Sequence, residues 1–165
     1  MSRKHRFAAM AAALLAVCLG PLTRAEVTEP ALAVTAKDAG LKWGPCPDFM
    51  PKGCKIAVLH GDPAKPNADV FLKVPENSKI SHHWHSSAER IVLISGKLEV
   101  TYDGQETLVL KPGGYAYGPA KLAHHAVCAK GAPCVLFIAF EEPVDAVPVA
   151  SFTNKRAASY AGTAR

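Results

Sequence analysis

Between Ile56 and Phe140 the sequence reads as short apolar or alternating segments punctuated by proline, glycine, asparagine and aspartate. Eight stand out: Ile56–Leu59, Val70–Val74, Glu89–Ile94, Lys97–Tyr102, Thr107–Leu110, Tyr115–Gly118, His124–Cys128 and Val135–Phe140. None has the length or the 3.6-residue period of an amphipathic helix. Segments of this size, bounded by turn residues, pair as antiparallel strands. The expected class is therefore all-β, a sandwich or barrel spanning residues 56–148. Ser95-Gly96 predicts a hairpin between the third and fourth segments, and Asp103-Gly104 a tight turn after the fourth. Residues 26–55 read as a lead-in, and residues 149–165 lose the pattern and are expected to be a flexible tail.

The N-terminus reads as an address. Arg3, Lys4 and Arg6 precede an uncharged run from Phe7 to Gly20, and Arg24-Ala25 ends the stretch. A positive start, a short apolar run and a small-residue exit describe a secretory signal, residues 1–25, with cleavage after Ala25. The run is too short to span a bilayer of about 30 Å as a helix. An uncleaved anchor is the alternative. Lipidation at Cys18 is disfavoured by the bulky Val17 before it. The expected location is exported, in a bacterial periplasm, with no membrane contact after cleavage.

The formal charge of +5 comes mostly from this segment. Of the 19 Lys and Arg, Arg3, Lys4, Arg6 and Arg24 precede residue 26, leaving 15 basic against 14 acidic residues. That balance argues against a nucleic-acid partner, which needs a concentrated basic face.

Cys46, Cys54, Cys128 and Cys134 remain after the signal. An even number suits disulfides in an oxidising compartment. Short separations favour Cys46–Cys54, around a Pro- and Gly-bearing loop, and Cys128–Cys134, around a turn expected to close a hairpin. Free thiols or a Cys-rich metal site are the alternatives, although structural zinc usually takes closer pairs.

Five histidines lie in two clusters, His82-His83-Trp84-His85 and His124-His125. On a strand, His83 and His85 share one face, and His82 and Trp84 the other. Glu89 returns to the first face if the chain turns back, and closure of a barrel brings His124 opposite. Three imidazoles and a carboxylate suit a first-row divalent metal, while a buried carboxylate without a partner is costly. His82 and His125 then fall on the outer side, and His60 reads as a loop residue.

These stretches resemble the two motifs of the cupin superfamily. His83-x-His85-x3-Glu89-x6-Gly96 is similar to the first, and Gly113-x5-Pro119-x4-His124 to the second. The 16 residues between Gly96 and Gly113 match the short spacer of small bacterial single-domain cupins. The resemblance implies a double-stranded β-helix, or jelly-roll barrel, with His83, His85, Glu89 and His124 as metal ligands. It also implies barrels that pair through edge strands as a homodimer. This sequence departs from the motifs at three places. Asn77 and Ser78 stand where a glycine usually opens the first motif, Lys121 where the second usually has glycine, and Cys128 where it usually has asparagine.

One divalent ion, Fe(II), Mn(II), Ni(II) or Zn(II), is the expected cofactor, and four protein ligands on an octahedral ion leave room for substrate. Fe(II) would make a dioxygenase acting on a small organic molecule, the leading expectation, which the resemblance implies and the residues alone do not. The alternatives are a metal-dependent isomerase or lyase, and a non-catalytic metal- or ligand-binding sensor. Ile91 and Leu93 are expected to point inward, with Phe71, Phe137 and Trp84 as candidate pocket walls. Tyr117, with Tyr115 on the same parity, is the candidate proton donor. Arg90 and Lys121 are candidates for attracting an anionic substrate.

Overall fold

The computed structural model describes residues 29–150. The expected signal segment with Cys18, and the tail from residue 151 onward, lie outside the described residues. The chain falls into two units divided between Ala33 and Val34. Of the first, residues 29–33 are described and hold neither helix nor strand.

The second unit is built from eleven strands: β1 (Gly44–Pro45), β2 (Lys55–His60), β3 (Ala68–Val74), β4 (Ser78–Trp84), β5 (Glu89–Ser95), β6 (Leu98–Tyr102), β7 (Leu108–Leu110), β8 (Tyr115–Gly118), β9 (His124–Cys128), β10 (Cys134–Phe140) and β11 (Val147–Pro148). There is no helix among the described residues, and so none that could cross a membrane. One sheet runs β1-β2-β3-β10-β5-β8 and the other β11-β4-β9-β6-β7, every pairing antiparallel. From β3 to β6 successive strands alternate between the sheets, as do β7 to β11. This is the jelly-roll expected from the sequence.

That winding corrects two local expectations. The chain does not form a hairpin at Ser95-Gly96, because β5 pairs with β8 and β10 while β6 pairs with β7 and β9. The turn is a corner between sheets. Gly96 has φ +82°, and a Cβ there would sit 2.9 Å from the Pro133 carbonyl oxygen and 3.0 Å from Cys134 Cα. Only glycine fits so close a crossing of two backbones. The stretch between Cys128 and Cys134 is also a corner rather than a hairpin, since β9 and β10 belong to different sheets. The Asp103-Gly104 turn does join a hairpin, β6–β7, with Leu98 opposite Leu110.

Side chains that alternate inward from both sheets make the core. Val70, Val74, Leu93, Leu98, Val100 and Tyr102 are all essentially inaccessible. Each large apolar side chain so buried contributes about 1.5–3 kcal/mol. Both expected disulfides are present, Cys46–Cys54 and Cys128–Cys134. Loops this short contribute about 2.5 kcal/mol each in the chain-entropy account. The second clamps the β9–β10 corner; the first closes a loop beside the barrel.

The departures from the motifs have a backbone consequence. Asn77 and Lys121 occupy the left-handed region, with φ 53° and 64°. The fold demands that conformation whether or not glycine supplies it. Lys121 is exposed, and its N–H donates to the His85 carbonyl at 2.8 Å. A non-glycine residue held there costs about 1–2 kcal/mol, partly offset by the freedom glycine gains when unfolded. Lys121→Gly should therefore stabilise the fold by about 1 kcal/mol with metal content unchanged. Thermal unfolding measures it, and destabilisation would show that the lysine side chain contributes more than its backbone costs.

Candidate metal centre

Two neighbouring strands and a corner assemble the site. His83 on β4 lies directly opposite His124 on β9. His85 follows just beyond the end of β4, and Glu89 opens β5. The intervening turn is held by Ser87, whose buried hydroxyl accepts the Glu141 and Glu142 N–H groups at 2.9 and 3.0 Å and donates to the Ala88 carbonyl at 2.6 Å. All four expected ligand residues are buried. One ring nitrogen from each of His83, His85 and His124 lies within 4.8 Å of the others. Glu89 places one carboxylate oxygen 3.3 Å from His124 Nε2 and the other 3.5 Å from His85 Nε2.

The outer nitrogens decide the chemistry of the inner ones. His83 Nδ1 lies 2.6 Å from the Ser81 carbonyl, His124 Nδ1 3.3 Å from the Leu122 carbonyl, and His85 Nδ1 against the Asp145 carbonyl. A carbonyl only accepts, so each Nδ1 carries a proton, and in the neutral ring, the form that binds a metal, Nε2 keeps the lone pair. With Glu89 ionised, lone pairs on His85 and His124 would face carboxylate oxygens. A shared proton or a cation is needed to make such a cluster favourable away from water. Three neutral imidazoles and one carboxylate, oriented by carbonyls behind them, fit a divalent transition metal.

Without a metal, burial sets the proton affinities. It pushes His83 down to about 4 and His124 down to about 3, with the neighbouring imidazoles adding to the effect. Burial raises Glu89, against the pull of His85 and of the Tyr102 hydroxyl, which donates to Glu89 Oε1 at 3.3 Å. Burial also raises Tyr102. An unfolded histidine takes a proton near 6.5, well before these folded ones do. The unfolded state therefore binds more protons as the pH falls, and the metal-free fold should lose stability from about pH 6.5 down through about 4 for His83 and about 3 for His124. Glu89 acts in the opposite direction, because its folded form takes up a proton first, so it offsets part of the loss. Thermal unfolding across this range, with and without metal, should show the metal-loaded form falling more steeply, as protons compete with the ion for Nε2. A flat metal-free profile would contradict neutral, buried imidazoles.

A cavity of about 250 Å³ adjoins this group. Its walls are Val70 and Leu72 of β3, Ile80 of β4, Ile91 of β5, Leu98 and Val100 of β6, and Leu136 and Ile138 of β10, with Phe140 beside the imidazoles. Two segments outside the central strands complete it: Cys46, Pro47 and Met50 from the disulfide-closed loop, and Val144–Ala146. Phe49 of that loop sits against the His83 ring, with centroids 5.8 Å apart, and its carbonyl accepts the Ser81 hydroxyl at 2.9 Å.

Other expected residues fall elsewhere. Ile91 lines the cavity and Leu93 is buried in the core, as expected. Phe71 and Phe137 meet edge to face at 6.4 Å, on the opposite parity from the cavity-lining Val70, Leu72, Leu136 and Ile138. Trp84 does not reach the cavity. Tyr117 is not placed to donate a proton to a bound ligand: it is 48% exposed, pairs with Arg90 across β5–β8, and faces outward with Tyr115. The parity of β8 turns Ala116 and Gly118 inward instead. Arg90 is exposed and ion-paired with Glu141, Lys121 is exposed, and neither lines the cavity. His82 and His125 lie on the outer side, where His82 Nε2 contacts Asp103 at 2.9 Å. His60 closes β2 rather than lying in a loop.

Three residues escaped sequence reasoning. Tyr102 shares the inward parity of Leu98 and Val100, a signal that could have found it. Gly118 lies opposite Glu89 in the β5–β8 ladder, where a Cβ would come within 2.7 Å of both Glu89 Oε1 and the Tyr102 hydroxyl. Asp145 orients His85 through its carbonyl and accepts the Ser86 N–H at 2.8 Å through its carboxylate. Nothing local to Asp145 announces that role, because its partners lie some 60 residues earlier.

Comparison with known proteins agrees with this architecture. Residues 70–140 match the family described as the cupin domain. Among curated proteins no sequence matches the chain. The polyketide cyclase RemF from Streptomyces resistomycificus is similar in structure, with a TM-score of 0.58 at 20% identity over 72% of this chain and 87% of that one. An RmlC-like cupin from Shewanella frigidimarina gives 0.53 at 20% identity over 64% and 86%. Oxalate decarboxylase from Bacillus subtilis gives 0.53 at 21% identity over 61% of this chain and 29% of its own. At these identities the likeness concerns the fold. With the motif stretches and the two-sheet winding both in place, residues 70–140 of this chain are a cupin domain.

Proposed function

We propose that His83, His85, Glu89 and His124 hold one divalent transition metal, and that the protein uses it in O2-dependent oxidation of a small organic molecule. The observation that carries this reading is the composition of the cavity wall. Beyond those four residues, Asp145 is the one ionisable side chain among the described lining residues, and its carboxylate already accepts the Ser86 N–H. Among the described residues no lysine, arginine, tyrosine, serine or threonine lines the space. Isomerase and lyase chemistry moves protons and needs a positioned acid or base within reach. Oxygen is small and apolar, and needs no such group to enter. When bound, the ion supplies redox or Lewis-acid chemistry. The chain's own part is to aim three lone pairs and a carboxylate at one point, keep the imidazoles neutral, and exclude water with apolar walls. The structurally similar polyketide cyclase and oxalate decarboxylase act, by their names, on small molecules. The same scarcity of acids and bases beyond Asp145 supports a ligand-binding sensor as the second reading.

Fe(II)-loaded protein, tested with a substrate panel in an oxygen electrode, should consume O2 in step with substrate loss. Turnover without O2 would favour an isomerase or lyase, and saturable binding without turnover would favour the sensor.

We also infer export. Both disulfides suit an oxidising compartment, and the first 25 residues have a signal's pattern. Mass spectrometry of the mature protein should find Glu26 at its start. A cytoplasmic product beginning at Met1 would overturn this.

A further inference from the structure

We propose that the ligand of this site has an uncharged, apolar body and a single polar head carrying no more than one negative charge. The inference rests on the metal reading above and adds the chemical class of what binds there.

Charge limits the head. A divalent ion together with the Glu89 carboxylate leaves one unit of positive charge in a group otherwise made of neutral imidazoles. One anionic head can be neutralised by it. A second anionic group would have to find its partner on the cavity wall, and no lysine or arginine is there among the described residues. The remaining ionisable group, Asp145, is itself acidic and would repel an anion. Burying an unpaired charge in such a place is strongly unfavourable.

The walls limit the body. Val70, Leu72, Ile80, Leu136 and Ile138 come from three strands of the two sheets. They present no side-chain donor or acceptor. A sugar-like or otherwise polyhydroxylated body would lose its hydrogen bonds to water and regain few. An aromatic or branched aliphatic body loses nothing of that kind and gains from burial. At about 250 Å³ the space lies near the small end of ligand pockets, which suits one ring rather than a chain of sugars. Met50, half-buried on the disulfide-closed loop, closes the wall outside the sheets. Its flexible thioether suits a surface that adapts to the body's shape.

The test uses full-length protein loaded with Zn(II), which is redox-silent, after elemental analysis of the loaded sample. Three probes are titrated calorimetrically: benzohydroxamate, acetohydroxamate and oxalate. The first two share a head that carries one negative charge once it loses its proton, and they differ in the body; the third carries two negative charges and no body. Benzohydroxamate should bind at least tenfold more tightly than acetohydroxamate, with oxalate weakest. Leu72→Phe should weaken benzohydroxamate at least tenfold and leave acetohydroxamate and zinc content unchanged. Should that variant fail to fold, Met50→Trp, on the loop, takes its place with the same expectation. Equal binding of the two hydroxamates, or oxalate binding most tightly, would overturn the proposal while leaving the metal reading intact. Absence of zinc from the loaded wild type would defeat the metal reading, and this proposal with it.

Discussion

Replacing His85 and His124 together by alanine should take the protein from about one bound ion per chain to background. The two side chains come from opposite sides of the site, one beyond β4 and one on β9. Their Nε2 atoms straddle the Glu89 carboxylate at 3.5 and 3.3 Å. Without them a single imidazole and a carboxylate remain, too few donors to hold an ion of this class against water. Glu89→Gln keeps the shape and removes the charge, so it should cost about 10–100-fold in affinity, as changes around metal sites commonly do. Elemental analysis and a competition titration with a chromophoric chelator read both effects. Circular dichroism should show the sheets intact in each variant, since the disulfides and the apolar core do not depend on these side chains. Full metal content in the double variant would reject the ligand assignment.

Gly118→Ala should be the most damaging one-methyl change near the site. The new Cβ would lie 2.7 Å from Glu89 Oε1, 2.7 Å from the Tyr102 hydroxyl and 2.8 Å from Glu89 Cγ. Both neighbours are buried and cannot swing away. Overpacking of this kind costs about 1–3 kcal/mol. The carboxylate must also shift from its place beside His85 and His124, so metal affinity should fall by about 10–100-fold. Gly118→Ala combined with Tyr102→Phe removes one of the two clashing oxygens and should recover part of the lost stability, a coupling that a double-mutant cycle resolves. Chemical denaturation and metal titration provide the measurements. If Gly118→Ala behaves like wild type in both, the close contact with Glu89 does not constrain the site.

Much of the fold was legible because its signal is local. Tyr115–Gly118 and His124–Cys128 were expected with the bounds they have, and the other six expected segments lie within a residue or two of β2, β3, β5, β6, β7 and β10. Turn residues and apolar runs mark such strands wherever they pair. The short Cys spacings likewise indicated both disulfides. The strand β4 announced itself only through the alternation of His83 and His85, because its other residues are polar on one side. The brief β1 and β11 have no local signature and exist because β2 and β4 offer open edges.

The site divides along the same line. The grouping of His83, His85, Glu89 and His124 was readable because parity and spacing are properties of a short stretch and barrel closure was expected to bring His124 opposite; the resemblance to cupin motifs pointed to the same four. Tyr117 misled because parity says which residues share a face but not which face turns inward. Val92 and Tyr115, Arg90 and Tyr117 are paired on the outside of β5–β8, and only the packing of the second sheet settles that. Asp145 and Gly118 reach the site across sequence separations that no local pattern encodes, whereas the inward parity of Tyr102 with Leu98 and Val100 is a local signal.

By itself, the sequence determined a β-strand protein with two short-range disulfides and a clustered set of metal-type donors, since these follow from composition and spacing along the chain. Tertiary structure alone decided that Ser95-Gly96 is a corner between sheets, that the apolar cavity lies beside the imidazoles, and that carbonyls from Ser81, Leu122 and Asp145 aim their Nε2 atoms inward. The physical reason is that sidedness and closure arise from the packing of two whole sheets, and no strand carries that information within its own residues.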